Sequence, residues 1–193
     1  MSKKVFVSHS EPDKPLVDAL AKLIKDIFGS LVSLSISSEK TGEEGLEAGE
    51  TWKEWIHQRI TEADIVLVVM TPYSIKRPWV MTEIGFAQGK GKTIVPVLFG
   101  LGGNEIPGSL QDLQAIQGDD KRDVLRVLKK FSSALELQQD FKYIDDYLND
   151  YLKGIKKALA QYPKSFTKDE LIAMAIGPLG LAIKQGIKII KKK

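Results

Sequence analysis

The run Ile65-Val66-Leu67-Val68-Val69-Met70 constrains the fold of this chain more than any other segment. It is apolar throughout, with no polar residue in alternation, so a strand built from it has two faces that must both be kept from water. Such a strand belongs inside a parallel sheet with helices over each face. The flanking sequence supplies them. Val5-Phe6-Val7-Ser8 is a first β run, and Asp13 to Phe28 sets Leu16, Leu20, Leu23, Ile24 and Ile27 at helical spacing before Gly29. Leu31 to Ile36 reads as a second strand, the segment after Thr51 as a helix with Glu54 at capping-box spacing, and Thr93 to Phe99 as a fourth strand. Strands alternating with helices predict an α/β fold with a doubly wound parallel sheet.

The central strand is followed by Thr71-Pro72-Tyr73-Ser74-Ile75-Lys76-Arg77-Pro78-Trp79-Val80-Met81-Thr82-Glu83. This loop lies at a carboxyl edge, where open α/β sheets bind ligands. Pro78 suits a first helical position, and Trp79 and Glu83, four apart, then share one side of the helix. Two readings of Glu83 stand: a site carboxylate, or an acid placed early in a helix to favour its dipole. Trp79 likewise reads either as a stacking surface or as core. Lys76 and Arg77 are the nearest cations. Gly89-Lys90-Gly91-Lys92-Thr93 ends like a phosphate-binding loop, but Phe86 stands where its first glycine is required, and the segment runs from helix into strand. It reads as a helix C-terminus.

With 193 residues, 43% of them hydrophobic, the chain suits one α/β domain and a helical appendage, expected at 1–131 and 132–193. Cysteine is absent, which excludes disulfides and thiolate sites and favours a cytoplasmic setting. His9 has no second histidine nearby, so no metal is expected. Met1-Ser2-Lys3-Lys4 leads straight into a strand, and no run approaches the length of a membrane span.

Net charge is +3 and unevenly spread: residues 1–120 hold 12 Lys and Arg against 17 Asp and Glu, and residues 121–193 hold 16 against 8. A basic second part is compatible with an anionic partner, with docking on the acidic part, or with a solvated helix face; no nucleic-acid partner is predicted from it. Helical spacing recurs through Val124, Leu128 and Phe131, and again through Ile144, Leu148, Tyr151, Ile155 and Leu159. From Phe166 to Lys193 an isoleucine stripe interrupted by Gly177-Pro178 makes a basic amphipathic tail, expected to pack on its own domain or to self-associate rather than to lie on a membrane.

Phe6-Val7-Ser8-His9-Ser10 with Asp13, then Leu46, Gly49 and Trp52, Ala63-Asp64, Thr71-Pro72-Tyr73-Ser74, Trp79 with Glu83, Ile94-Val95-Pro96-Val97, and finally Pro107, Leu110 and Leu113, taken in this order, resemble a bacterial Toll/interleukin-receptor (TIR) domain over residues 3–131. The resemblance implies a flavodoxin-like fold whose loop after the second strand overhangs a cleft. Here that loop, Ser37 to Glu50, carries five glutamates and three glycines, and it has Ser35-Ile36-Ser37-Ser38 where many relatives end the strand on aspartate.

In the enzymatic members a glutamate on the third helix serves NAD+ cleavage, and Glu83 matches it. NAD+ is then a substrate and no cofactor is implied. Ser8, His9, Ser10, Ser74, Arg77 and Trp79 form the candidate substrate-binding set. The resemblance also implies TIR self-association, a downstream effector receiving a nucleotide signal, and a role in antiphage defence. Two other functions fit the same residues: a non-catalytic TIR interaction module, and an N-glycosidic enzyme of the nucleoside deoxyribosyltransferase kind.

Overall fold

The computed structural model describes residues 2–38, 51–137 and 140–162. Five parallel strands, β1 (Lys3–Ser8), β2 (Val32–Ile36), β3 (Ile65–Met70), β4 (Thr93–Leu98) and β5 (Ile116–Gln117), form one sheet in the order β2-β1-β3-β4-β5. The helices are α1 (Lys14–Phe28), α2 (Trp52–Glu62), α3 (Pro78–Gly89), α4 (Lys121–Ala134) and α5 (Ile144–Ala160). This is the expected doubly wound, flavodoxin-like α/β fold. Its strand order reverses between β1 and β3, so the crevice that such folds offer to ligands lies between the ends of those two strands.

Every residue of β3 is buried, which explains the lack of alternation in its sequence. Its Val66, Val68 and Met70 meet Ile56 and Ile60 of α2 and Ile84 of α3 in one apolar cluster. Burial of side chains of this size stabilises the fold by about 2 kcal/mol each relative to exposure. Thr51 caps α2 as predicted: its hydroxyl accepts from the Glu54 amide at 3.2 Å, and Glu54 accepts from the Thr51 amide at 3.0 Å. At the other end of α2, Lys92 Nζ donates to the carbonyls of Thr61 at 2.5 Å and Ala63 at 2.9 Å. Gly91, at φ 65°, takes the left-handed conformation past the end of α3. The glycine-lysine segment therefore closes a helix and does not form a phosphate loop.

Strand boundaries differ from expectation by one or two residues: β1 starts at Lys3 instead of Val5, and β4 ends at Leu98 instead of Phe99. Leu31 lies in a 3-10 turn, Gly29–Leu31, and is 46% exposed, so β2 starts at Val32. Beyond β4, a 3-10 turn at Gly108–Leu110 precedes the two-residue β5. Just beyond β5, a Cβ built on Gly118 would come within 2.3 Å of the Phe99 ring. The Gly118 carbonyl accepts from the Tyr151 hydroxyl at 2.8 Å, which fastens α5 to that sheet edge.

The described sheet and helices belong to one compact unit that runs through Ala160. Among the described residues no helix is long and apolar enough to cross a membrane. Residues 39–50, including most of the glutamate-rich loop, and 163–193, including the isoleucine stripe, lie outside the described set.

Candidate active site

Ser8 is the last residue of β1, and β1 pairs with β3 through Ser8 and Val68. Glu83 is the sixth residue of α3, which begins at Pro78. The two meet where β1 ends: the Ser8 hydroxyl donates to Glu83 Oε2, with Ser8 wholly buried and Glu83 1% exposed. Glu83 therefore lies past the first turn and inside the protein, so an exposed acid favouring the helix dipole does not describe it.

Trp79, one turn earlier, lies close enough to the Glu83 carboxylate to favour its ionised form. Its half-buried ring packs against the apolar cluster under α2 and α3. Trp79 thus combines a core role with a polar contact to the carboxylate. Burial pushes the Glu83 carboxyl up to about 7, against the opposing pull of the Ser8 hydrogen bond and of nearby Trp79. Its second oxygen, Oε1, is buried with no hydrogen-bond partner.

Ser10 and Ser74 belong to a neighbouring network. Asp13, fully buried, accepts from Ser10 Oγ at 2.6 Å and from Thr71 Oγ1 at 2.8 Å. Thr71 Oγ1 in turn accepts from the amides of Tyr73 at 3.1 Å and Ser74 at 3.2 Å, and Ser74 Oγ accepts from the Thr71 amide at 2.7 Å. Ser74 is therefore spent on building the turn after β3. Burial raises the Asp13 carboxyl to about 6, opposed by its hydrogen bonds to Ser10 and Thr71 and by the charge of Arg77. Arg77 precedes α3 and is half-buried.

His9 follows Ser8 and faces other partners. Its amide donates to Ser37 Oγ at 3.3 Å, and its Nδ1 lies 3.0 Å from the same oxygen. Burial and the Lys14 charge lower its pKa to about 4, so the ring is neutral at pH 7. The structure thus brings Ser8, Trp79 and Glu83 together. It places Ser10, Ser74 and Arg77 around Asp13, and His9 beside Ser37.

Asp13, Thr71 and Ser37 are the polar residues that sequence reasoning does not single out for the site. A signal exists for the first: Ser10 and Asp13 stand three apart, the capping-box spacing, and the Ser10 amide donates to Asp13 Oδ2 at 3.3 Å. Among the described residues no cluster of His, Cys, Asp or Glu could hold a metal ion.

The sequence model for the TIR domain matches residues 5–130. The chain belongs to the TIR domain family. Among solved structures, this TIR domain is similar to that of the Toll-related receptor TRR-2 from Hydra magnipapillata, with a TM-score of 0.55 and 15% identity over 68% of this chain and 97% of that one. The TIR domains of the activated Roq1 resistosome, which directly recognises the pathogen effector XopQ, align at a TM-score of 0.41 and 14% identity, covering 98% of this chain and 99% of that one. The Clostridium botulinum CMP N-glycosidase BcmB aligns at 0.46 and 16% identity, over 66% and 99% of the respective chains. Comparison with curated proteins found no matching sequence.

Proposed function

We propose that this TIR domain cleaves the N-glycosidic bond between nicotinamide and ribose in NAD+. The observation that carries the reading is Glu83: one buried carboxylate at the strand-order reversal, hydrogen-bonded by Ser8, with Trp79 close by and one oxygen unsatisfied. The chemistry needs little more. Nicotinamide leaves as a neutral base, its ring nitrogen taking the electron pair of the broken bond to the ribose anomeric carbon, so no acid has to protonate it. What remains is a positive charge developing on the ribosyl centre, which a single ionised carboxylate stabilises, in contrast to the carboxylate pairs of ordinary glycosidases.

Water attack then gives ADP-ribose and a proton, while attack by a nucleophile within the ADP-ribosyl group gives a cyclic nucleotide and likewise releases a proton. Ionised Glu83 acts on the cation and its free oxygen accepts from a ribose hydroxyl. Ser8 and Trp79 hold the carboxylate in place. Self-association of the TIR domain completes the site, and the product serves as a signal to a downstream effector in antiphage defence in the cytoplasm.

The 1% exposure of Glu83 favours a second reading, a non-catalytic TIR interaction module. Incubation with NAD+, NADP+ and deoxynucleosides, resolved by chromatography, separates the readings. Nicotinamide release by the wild type and its loss in Glu83→Gln supports cleavage. No turnover of any of them, under conditions where the domain assembles, supports the interaction module.

A further inference from the structure

Asp13 is a second fully buried carboxylate at the same sheet edge, and the Ser8–Glu83 pair does not use it. Its oxygens reach two loops at once. Oδ2 accepts from Ser10 Oγ at 2.6 Å and the Ser10 amide at 3.3 Å, just after β1, and Oδ1 accepts from Thr71 Oγ1 at 2.8 Å, just after β3. A hydroxyl has one hydrogen and two lone pairs. By taking the Thr71 hydrogen, Asp13 leaves both lone pairs for the Tyr73 and Ser74 amides, at 3.1 and 3.2 Å, and those two bonds shape the turn that leads into α3. A carboxylate at the start of α1 therefore sets the direction in which the Glu83 helix departs.

We propose that Asp13 is a positioning residue for Glu83: through Ser10 and Thr71 it clamps the ends of β1 and β3 and fixes the separation of Ser8 from the Glu83 carboxylate. In its effect on turnover the proposal rests on the NAD+-cleaving reading. Asparagine offers one acceptor oxygen instead of two, so Asp13→Asn cannot accept from both loops. Thr71→Val removes the link from the other side, and Thr71→Ser keeps it.

The test uses the full chain, with circular dichroism and thermal melts establishing that each variant is folded at the assay temperature. Asp13→Asn and Thr71→Val are expected to lower kcat by roughly 10- to 100-fold, as misplacement of a reacting group does, with KM within about threefold of wild type. The double variant is expected to be no worse than the poorer single one, because both break the same link. Thr71→Ser is expected to retain near wild-type kcat. Should Asp13→Asn fail to fold, the two Thr71 variants carry the test.

If the wild type does not turn over NAD+, the cleavage reading fails and the clamp is tested separately. The 15N-indole resonance of Trp79, assigned by its loss of titration in Glu83→Gln, reports Glu83 ionisation. Thr71→Val is expected to move that midpoint by about half a pH unit or more, and Thr71→Ser to leave it in place. An unmoved midpoint in Thr71→Val, or an unchanged kcat in an active protein, overturns the proposal.

Discussion

The Ser8 hydroxyl and the Glu83 carboxylate meet across 75 residues of sequence, and Ser8 serves only one of the two carboxylate oxygens. A buried acid so incompletely satisfied is costly to ionise, which is why its pKa lies near neutrality. The functional and energetic consequences of that pairing can be separated by experiment.

Glu83→Gln preserves side-chain size and removes the charge that the proposed cleavage sets against the ribosyl cation. Nicotinamide release is expected to fall by about 100- to 1,000-fold, the cost of losing one well-placed electrostatic stabiliser. Turnover close to wild type in a stopped assay with chromatographic readout would remove Glu83 from the chemistry.

The same substitution is expected to stabilise the fold above neutral pH. The Glu83 carboxyl sits at about 7 in the folded chain and 4.5 is its ordinary value, so the folded state retains a proton that the unfolded chain has released. This contribution is fully present below the unfolded value and is lost as pH rises through the folded one, amounting to about 3 kcal/mol. At pH 8 the Tm of Glu83→Gln should exceed that of wild type by roughly 5–10 °C, and the difference should vanish near pH 4. Thermal melts across that range check it, and equal Tm values at pH 8 would show that the carboxyl is not held protonated by burial.

His9 works in the opposite sense. Its folded value of about 4 lies below its ordinary 6.5, so its contribution is present above about 6.5 and lost as pH falls toward 4. Replacing His9 with a neutral residue of similar bulk, as in His9→Gln, is expected to reduce the acid sensitivity of the fold between those limits. Urea titrations at pH 4.5 and 7.5 measure it, and an undiminished loss of stability on acidification would exclude His9 as a source.

Ser8→Ala removes a hydrogen bond that favours the ionised form of Glu83. The pH–rate profile, expected to rise with ionisation of a group near 7 in the wild type, should shift to higher pH. At pH 7 the rate is expected to fall by about tenfold, with partial recovery at pH 8.5. A profile displaced toward acid would mean that Ser8 stabilises the protonated carboxyl instead.

Self-association predicts a dependence on concentration. Specific activity is expected to rise with protein concentration in step with the appearance of oligomers in light scattering. Constant specific activity over a thousandfold dilution of a monomer would exclude assembly as a requirement.

The features legible in the sequence are those that depend on neighbours along the chain. The unbroken apolar run of β3 requires burial on both faces, Thr51 and Glu54 cap α2 within one turn, and Pro78 marks the start of α3. Glu83 stands out because Pro78 and β3 together place it at a carboxyl edge. The Asp13–Thr71 bond joins residues 58 apart and the His9–Ser37 contact residues 28 apart, and both depend on strands lying side by side. No local periodicity encodes such a pairing. Ser8 and His9 show the same limit: adjacent in sequence, they read as one ligand-facing set, yet one meets Glu83 on α3 and the other meets Ser37 after β2.

A strand of two residues carries almost no information about its own alignment, yet β5 is held in place by the glycine at its end. Only a hydrogen fits between the Gly118 backbone and the Phe99 ring, and the Tyr151 hydroxyl finds the Gly118 carbonyl only when that glycine is seated there. A slip of β5 along β4 would bring a side chain against the aromatic ring and break the link to α5. Gly118 therefore acts as an index mark for the sheet edge, and a saturation library at this position should return glycine almost alone among stably folded clones.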